Sequence, residues 1–252
     1  MSHFYVVKAV KWKRYILIMA LALFAALFLW IERDGAYSVV SQEEPTALTK
    51  GNANEDGIAL TFNISWGDEK VHGILDELEK SGVQATFFVS GEWAENHPDI
   101  VEEITDQKHE LGMLGYRYES YLEQDIETVR EDLAEARDVF DKMGYEDVDL
   151  LRPPNGHFDE DIIELAEKQG LTVTHWGVNP NDWKNPGTQS ITDMVMKQTE
   201  NGDIILMHAS DSAKQTANAL QTILPGLQEK GFQFVTISEL INQAHADSQL
   251  AD

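Results

Sequence analysis

From residue 58 onward the chain switches repeatedly between two hydrophobic periods, a short apolar run and then apolar positions three or four residues apart. Residues 58–66 (IALTFNISW) form the first run, ended by Gly67-Asp68, and Val71, Ile74, Leu75 and Leu78 then fall at helical spacing within 68–81. The unit recurs as predicted strand 85–90 with helix 99–106, strand 110–115 with helix 126–143, and strand 148–152 with helix 159–169. Strand 171–178 leads to helix 190–200, strand 203–208 to helix 213–230, and strand 232–237 closes the series before a short helix from Ser238. Seven such units predict an α/β fold around a parallel sheet, closed as a barrel or open and doubly wound. No Gly-x-Gly-x-x-Gly follows the first strand and no phosphate loop occurs, which favours the barrel.

The N-terminal pattern is of another kind. Residues 16–31 (ILIMALALFAALFLWI) carry no charge, and Tyr15 extends the run to the lower limit of what spans about 30 Å of hydrocarbon. Lys8, Lys11, Lys13 and Arg14 precede it, so 1–14 is expected in the cytoplasm, 15–31 as a single-pass transmembrane anchor in the cell membrane, and the remainder outside. Glu32, Arg33 and Asp34 follow directly where a cleaved signal peptide would end in small residues, which favours a retained anchor. Residues 32–55 read as a polar stalk, 56–241 as the folded domain and 242–252 as a polar tail.

Charge and cysteine content narrow the chemistry. With 44 acidic against 19 basic residues the net charge is -25, and all 44 acids lie beyond Arg14. Such a chain lacks the basic face that displaces counterions from phosphates, so nucleic acid is excluded as a partner. The absence of cysteine excludes disulfides, thiolate zinc, iron–sulfur clusters and a cysteine nucleophile.

In a barrel the chemistry sits at the C-terminal strand ends. Those positions are polar and aromatic here: Asn63-Ile64-Ser65-Trp66, Gly115-Tyr116-Arg117-Tyr118, Arg152-Pro153-Pro154-Asn155-Gly156-His157, Asn179-Pro180-Asn181-Asp182-Trp183 and His208-Ala209-Ser210-Asp211-Ser212. Asp182 and His208 can form an acid–base pair, because a carboxylate on one imidazole nitrogen sets the tautomer and basicity of the other. Arg152 can hold an anion or oxyanion. Trp66, Tyr118 and Trp183 supply flat faces suited to sugar rings. His3, His72, His97, His109 and His245 show no ligand spacing and read as surface residues, whereas His157 and His175 could join His208 in a substitute metal site.

The order Thr61-Phe62-Asn63-Ile64, Arg152-Pro153-Pro154-Asn155-Gly156, Asp182-Trp183 and Leu206-Met207-His208 resembles the motif framework of polysaccharide deacetylases, the NodB homology domain, over about residues 56–241. Within that family the likeness is greatest to the sporulation-associated PdaB-type members, through the anchor, the Ile-Ser-Trp-Gly after strand one and the segment 208–216. The resemblance implies a distorted (β/α)7 TIM-like barrel, a cell-wall glycan as partner, and hydrolysis of N-acetyl groups on peptidoglycan. It also implies a divalent metal, zinc or another, held by one Asp and two His, with an Asp base and a His acid. By carry-over, His208, Asp182 and Arg152 are the candidate catalytic group, and Asn63, Trp66, Tyr118, Asn155 and Trp183 the candidate substrate contacts.

The sequence departs from that pattern where the metal would sit. The paired acids of the first motif are Asn63 and Ile64, the two histidines of the second are Leu114 and Tyr118, and the first acid of the fourth is Asn179. No protein ligand of the family's metal remains, so no metal or other cofactor is expected. A bound metal lowers the pKa of water from about 15.7 to about 7, whereas general acid–base help alone contributes about a hundred- to ten-thousand-fold. Two functions stay open: an enzyme using a rearranged site, with Asp68 or Asp211 as base, His208 as acid and Arg152 on the oxyanion, or a glycan-binding or scaffolding pseudoenzyme.

Overall fold

The computed structural model describes Met19 and residues 46–250. The chain divides into a unit over Met1–Glu44 and another over Pro45–Asp252, and the fold described is that of the second. Apart from Met19, the expected anchor lies outside the described residues, as does the first part of the stalk; among the described residues no helix is long and apolar enough to cross a membrane.

Seven strands alternate with helices as the periodicity predicts. The strands are β1 (Gly57–Ile64), β2 (Thr86–Val89), β3 (Glu110–Met113), β4 (Leu150–Leu151), β5 (Thr172–Val173), β6 (Ile204–His208) and β7 (Gln233–Val235). The helices are α1 (Lys70–Ser81), α2 (Gly91–Asn96), α3 (Pro98–Asp106), α4 (Ile126–Lys142), α5 (Glu160–Lys168), α6 (Thr188–Gln198), α7 (Thr216–Glu229) and α8 (Ile237–Leu250). All strand pairs are parallel, in the order β5-β4-β3-β2-β1-β6, and β7 pairs with residues 57–59 of β1. Because Thr61–Asn63 pair with both β2 and β6, and Ala59 with both β6 and β7, β7 and β2 share one edge of β1 end to end. The result is an α/β half-barrel.

The two faces of the sheet carry separate cores, as the period of two requires. Ile58, Leu60, Phe62 and Ile64 of β1, with Phe87, Val89, Met113, Ile205 and Met207, face the helices in the large cluster. Ala59, Phe88, Leu114, Leu150 and Ile204 face inward with Ile237 and Leu240 of α8. The N-terminus of α8 is tied to the strand starts: Glu110 accepts the N–H groups of Ile237 (2.9 Å) and Ser238 (3.2 Å), and Thr236 and Glu239 bond reciprocally as a capping box. That helix closes the end of the barrel opposite the site.

Several boundaries differ from the sequence pattern for physical reasons. The apolar stretch 171–178 keeps its ladder only at Thr172–Val173, because the chain then changes partner. His175 N–H donates to Leu48 O (2.7 Å), and Val178 bridges to Ile205 of β6. Residues 48–51, expected as stalk, thereby belong to the domain: Leu48 bridges to Thr174, Lys50 bridges to Asp203 and pairs with its carboxylate at 3.1 Å, and Gly51 N–H reaches Gly202 O at 2.7 Å. The expected polar tail is helical through Leu250. Helix α2 was not legible in the period. It breaks at His97, where Pro98 disfavours helical geometry for the residue before it. His109 is not a surface residue but is buried, its Nδ1 accepting the Ala85 N–H at 3.2 Å. Burial lowers its pKa to about 4.

Candidate functional site

Asp182 and His208 meet at the strand ends as the sequence predicts. Asn181, in the left-handed region at φ 53°, turns the chain into the short 3-10 turn Asp182–Lys184 and places Asp182 wholly inside. Its Oδ1 lies 2.8 Å from His208 Nδ1, and its Oδ2 accepts the His208 backbone N–H at 2.8 Å and the Thr216 hydroxyl at 2.7 Å. A carboxylate on Nδ1 fixes that nitrogen as the protonated one, so Nε2 is the basic face that His208 offers to the cavity it lines. The pair can move a proton at Nε2.

Arg152 follows β4 and has no exposure at all. Its Nη1 donates to Thr61 Oγ1 (3.0 Å) and Asn63 Oδ1 (2.9 Å), and Nη2 to His175 O (3.1 Å). Phe88 lies under the guanidinium at 3.9 Å, Trp176 at 5.5 Å, and Nε has no partner. Among the described residues no carboxylate pairs with it. Burial pushes its pKa down to about 9, which leaves it cationic at neutral pH. The expectation that Arg152 holds an oxyanion fails on geometry, because it stands behind the cavity wall, with both Nη atoms bonded to the protein and Nε buried.

The four substituted positions of the first two motifs do not form one group. Asn63 and Tyr118 line the cavity, but Ile64 points into the helix-side core and Leu114 into the inner core, both fully buried. Neither has a donor atom to offer a cation. Burial raises the Tyr118 phenol, while the Asn155 backbone N–H, the Asn63 amide and the charge of Arg152 work against that rise. The loop that carries Tyr118 is clamped from α4: Asp132 accepts Tyr116 N–H and Arg117 N–H at 2.9 Å each and the Tyr121 hydroxyl at 2.7 Å. Gly115 opens this loop at φ 78°, and a Cβ there would meet the Tyr121 hydroxyl at 2.1 Å, so two independent constraints require glycine.

The cavity has a volume of about 330 Å³. Four amides (Asn63, Asn155, Asn179, Asn181) and three hydroxyls (Ser65, Ser210, Ser212) line it beside Tyr118, Trp176 and Leu206. Trp66 and Trp183 stand at its rim, 63% and 47% exposed. All five expected substrate contacts therefore gather at one mouth. Asp211 ties the rim together: its Oδ1 accepts the Glu69 and Lys70 N–H groups at 3.0 and 2.9 Å, docking the start of α1 and the Trp66 turn onto the loop after β6. With that oxygen spent on backbone, and with neither Asp68 nor Asp211 lining the cavity, neither is placed as a base. Asn185 ties Trp183 in the same way, donating to Ser212 O at 2.8 Å and accepting Lys214 N–H at 2.9 Å.

The donor set does not fit the metal that the motif framework implies. Among the described residues no group of three His, Asp or Glu is placed to hold an ion. His157 bonds Ser120 Oγ at 3.0 Å, and His175 stacks on Trp176 at 3.6 Å, so they do not join His208. Trp176, Thr216, Asp132 and Tyr121 were missed as site residues. Trp176 alone carried a signal, since it shares the inward register with Thr172 and Thr174.

Comparison with known proteins accords with the geometry. A family model described as polysaccharide deacetylase matches residues 50–174. A peptidoglycan-N-acetylglucosamine deacetylase of Bacillus cereus is 33% identical over 209 residues, covering 80% of this chain and 97% of its own length. A crystal structure of a peptidoglycan N-acetylglucosamine deacetylase superposes with a TM-score of 0.76 at 29% identity, over 82% of this chain and 96% of that one. A CE4 family pseudoenzyme from Bacillus anthracis superposes at 0.74 and 28% identity, over 79% of this chain and 70% of its own. With a relative matched along nearly its whole length, and with Asn63, Asn155, Trp183 and His208 of the motif framework at one barrel mouth, the chain belongs to the polysaccharide deacetylase family.

Proposed function

We propose that this protein binds a peptidoglycan-type wall glycan at the barrel mouth and does not carry out the family's metal-dependent deacetylation. The observation that carries this reading is the fate of the ligand and base positions: Ile64 and Leu114, where the resemblance places ligands, are buried in two different cores, and Asn63, where it places the base, is held by Arg152. The amides, hydroxyls and rim tryptophans of the mouth match the hydroxyls and apolar faces of a sugar. Resemblance to a CE4 family pseudoenzyme supports the same reading. We further propose that residues 15–31 anchor the chain with the domain outside the cytoplasm, on the strength of the uncharged run and its basic flank. A role in sporulation rests on motif likeness and is checked by timing expression in the source cells.

The test measures acetate release and glycan binding on the same full-length protein with an N-acetylglucosamine oligomer. Binding without release is expected. Release that needs added zinc would overturn the proposal. The His208–Asp182 pair favours one competing reading, residual acid–base hydrolysis, and metal-independent release abolished by His208→Ala would establish it instead.

A further inference from the structure

We infer that the chain has a second ligand site, at the end of the barrel opposite the mouth, for a sugar that carries an ammonium beside a hydroxyl, as a de-N-acetylated hexosamine does. A cavity of about 450 Å³ opens there between the last turns of α1 and α3, where the chain enters β2 and β3. That volume is in the range of small-molecule sites. Two polar atoms of its lining residues have no partner. The Ala85 N–H can only donate, so His109 Nδ1, 3.2 Å away, is its acceptor, and the hydrogen of the neutral ring sits on Nε2. His109 is only 6% exposed, and that Nε2 hydrogen meets no acceptor. Gln107 Oε1 is likewise buried without a donor. Each is a desolvation cost that a ligand reaching it removes.

The ligand must bring an oxygen to His109 and a donor to Gln107, and the surroundings decide the charge of that donor. Glu79 and Asp106 line the cavity, both exposed, and among the described residues neither has an ion-pair partner. Lys80, beside Glu79, is taken by Glu77 at 2.8 Å, and Lys108 does not line the cavity. The C-terminal ends of α1 and α3 add the negative poles of two helix dipoles, which favour a cation. Phe234, half-buried in the wall, offers its ring to a cation or to the apolar face of a sugar. A carboxylate or phosphate is repelled by this set, and a neutral hydroxyl leaves both carboxylates unanswered. An ammonium answers Gln107 and the carboxylates together, and a hydroxyl on the neighbouring carbon accepts from His109. The mouth is lined by no acid, so the two ends of the barrel differ in the charge they receive.

The experiment is calorimetric titration of the full-length protein with the glucosamine tetramer. It is run at about pH 6, where amines are protonated and His109 is neutral, and at physiological ionic strength to screen the general surface acidity. Saturable binding is expected, and an excess of the N-acetylglucosamine tetramer, directed to the mouth, is expected to leave it in place. Gln107→Leu and, separately, the paired exposed changes Glu79→Gln and Asp106→Asn are each expected to weaken it about tenfold or more. Loss of binding to the N-acetylated competitor puts the cationic sugar in the mouth and overturns the inference, as does an affinity untouched by both sets of changes. Spermine has ammoniums and no hydroxyls, and if it binds as tightly as the tetramer the effect is surface charge alone and the inference is overturned as well. The N-acetylglucosamine tetramer titrated by itself tests the mouth. Its failure to bind overturns the glycan reading given above and leaves the second site to be decided by the glucosamine titrations of the wild type and the variants.

Discussion

Asp182 and Arg152 are fully buried ions of opposite sign behind one cavity, and they are accommodated in different ways. Three donors converge on Asp182, each from a residue that also depends on it. Arg152 meets only neutral acceptors and aromatic faces, with Nε left over. A desolvated cation over a ring gains about 2 kcal/mol or more, which replaces part of what a carboxylate would supply. On the β6 side the motif survives as an interdependent set. On the β1 and β3 side it has dissolved, Asn63 into a neutral partner and Ile64 and Leu114 into packing. A buried network tolerates loss of charge where each remaining polar atom still finds a neutral partner, and not where several atoms share one ion.

The contrast can be broken most directly at Asp182. Asp182→Ala leaves two donors of His208 and the Thr216 hydroxyl unmet, and is expected to lose about 3–5 kcal/mol in urea unfolding. A loss under about 1 kcal/mol would show that the set is not interdependent.

A buried base kept neutral sharpens the comparison from the other end of the barrel. His109 is held at about 4 by burial, against about 6.5 in the unfolded chain. Between those values the unfolded state carries a proton that the folded state lacks, so stability is fully present above about pH 6.5 and falls as the pH drops toward 4, by about 3 kcal/mol. Unfolding free energies across that range should show the slope, and His109→Asn, which keeps an acceptor for the Ala85 N–H, should flatten it.

The smallest effect is expected at the other buried ion. Arg152→Met removes a charge that no carboxylate answers but leaves Asn63 Oδ1 and His175 O without their donor, and stability should fall by about 1–2 kcal/mol, less than in Asp182→Ala. Thermal unfolding beside Asp182→Ala decides the matter: equal losses in the two variants would remove the distinction drawn between them.

Much of this was legible along the chain. The seven strand–helix units and the gathering of Asn63, Trp66, Tyr118, Asn155, Trp183 and His208 follow from periodicity and from where each strand ends. The partner of each buried ion was less legible. Asp211 looks like a candidate base in sequence and acts as a tether for α1, because hydrogen bonds to backbone N–H groups leave no mark on residue type. His109 looks like a surface histidine, because its burial depends on the Ala85 N–H reaching across from a neighbouring strand. Ile64 and Leu114 are neighbours in motif logic, yet the alternation of a strand and the turn after another send them into separate cores.

The amino-acid order by itself determined the repeating α/β architecture, the acidity, and the replacement of the family's Asp and His ligands by Ile64, Leu114 and Tyr118, since each is a property of residue type and local period. Tertiary structure alone decided that Arg152 lies behind the wall rather than in it, that residues 48–51 complete the domain, and that Asp132 and Asp211 hold the rim. Those outcomes turn on which groups exclude water from which others, and that is settled only when distant segments pack.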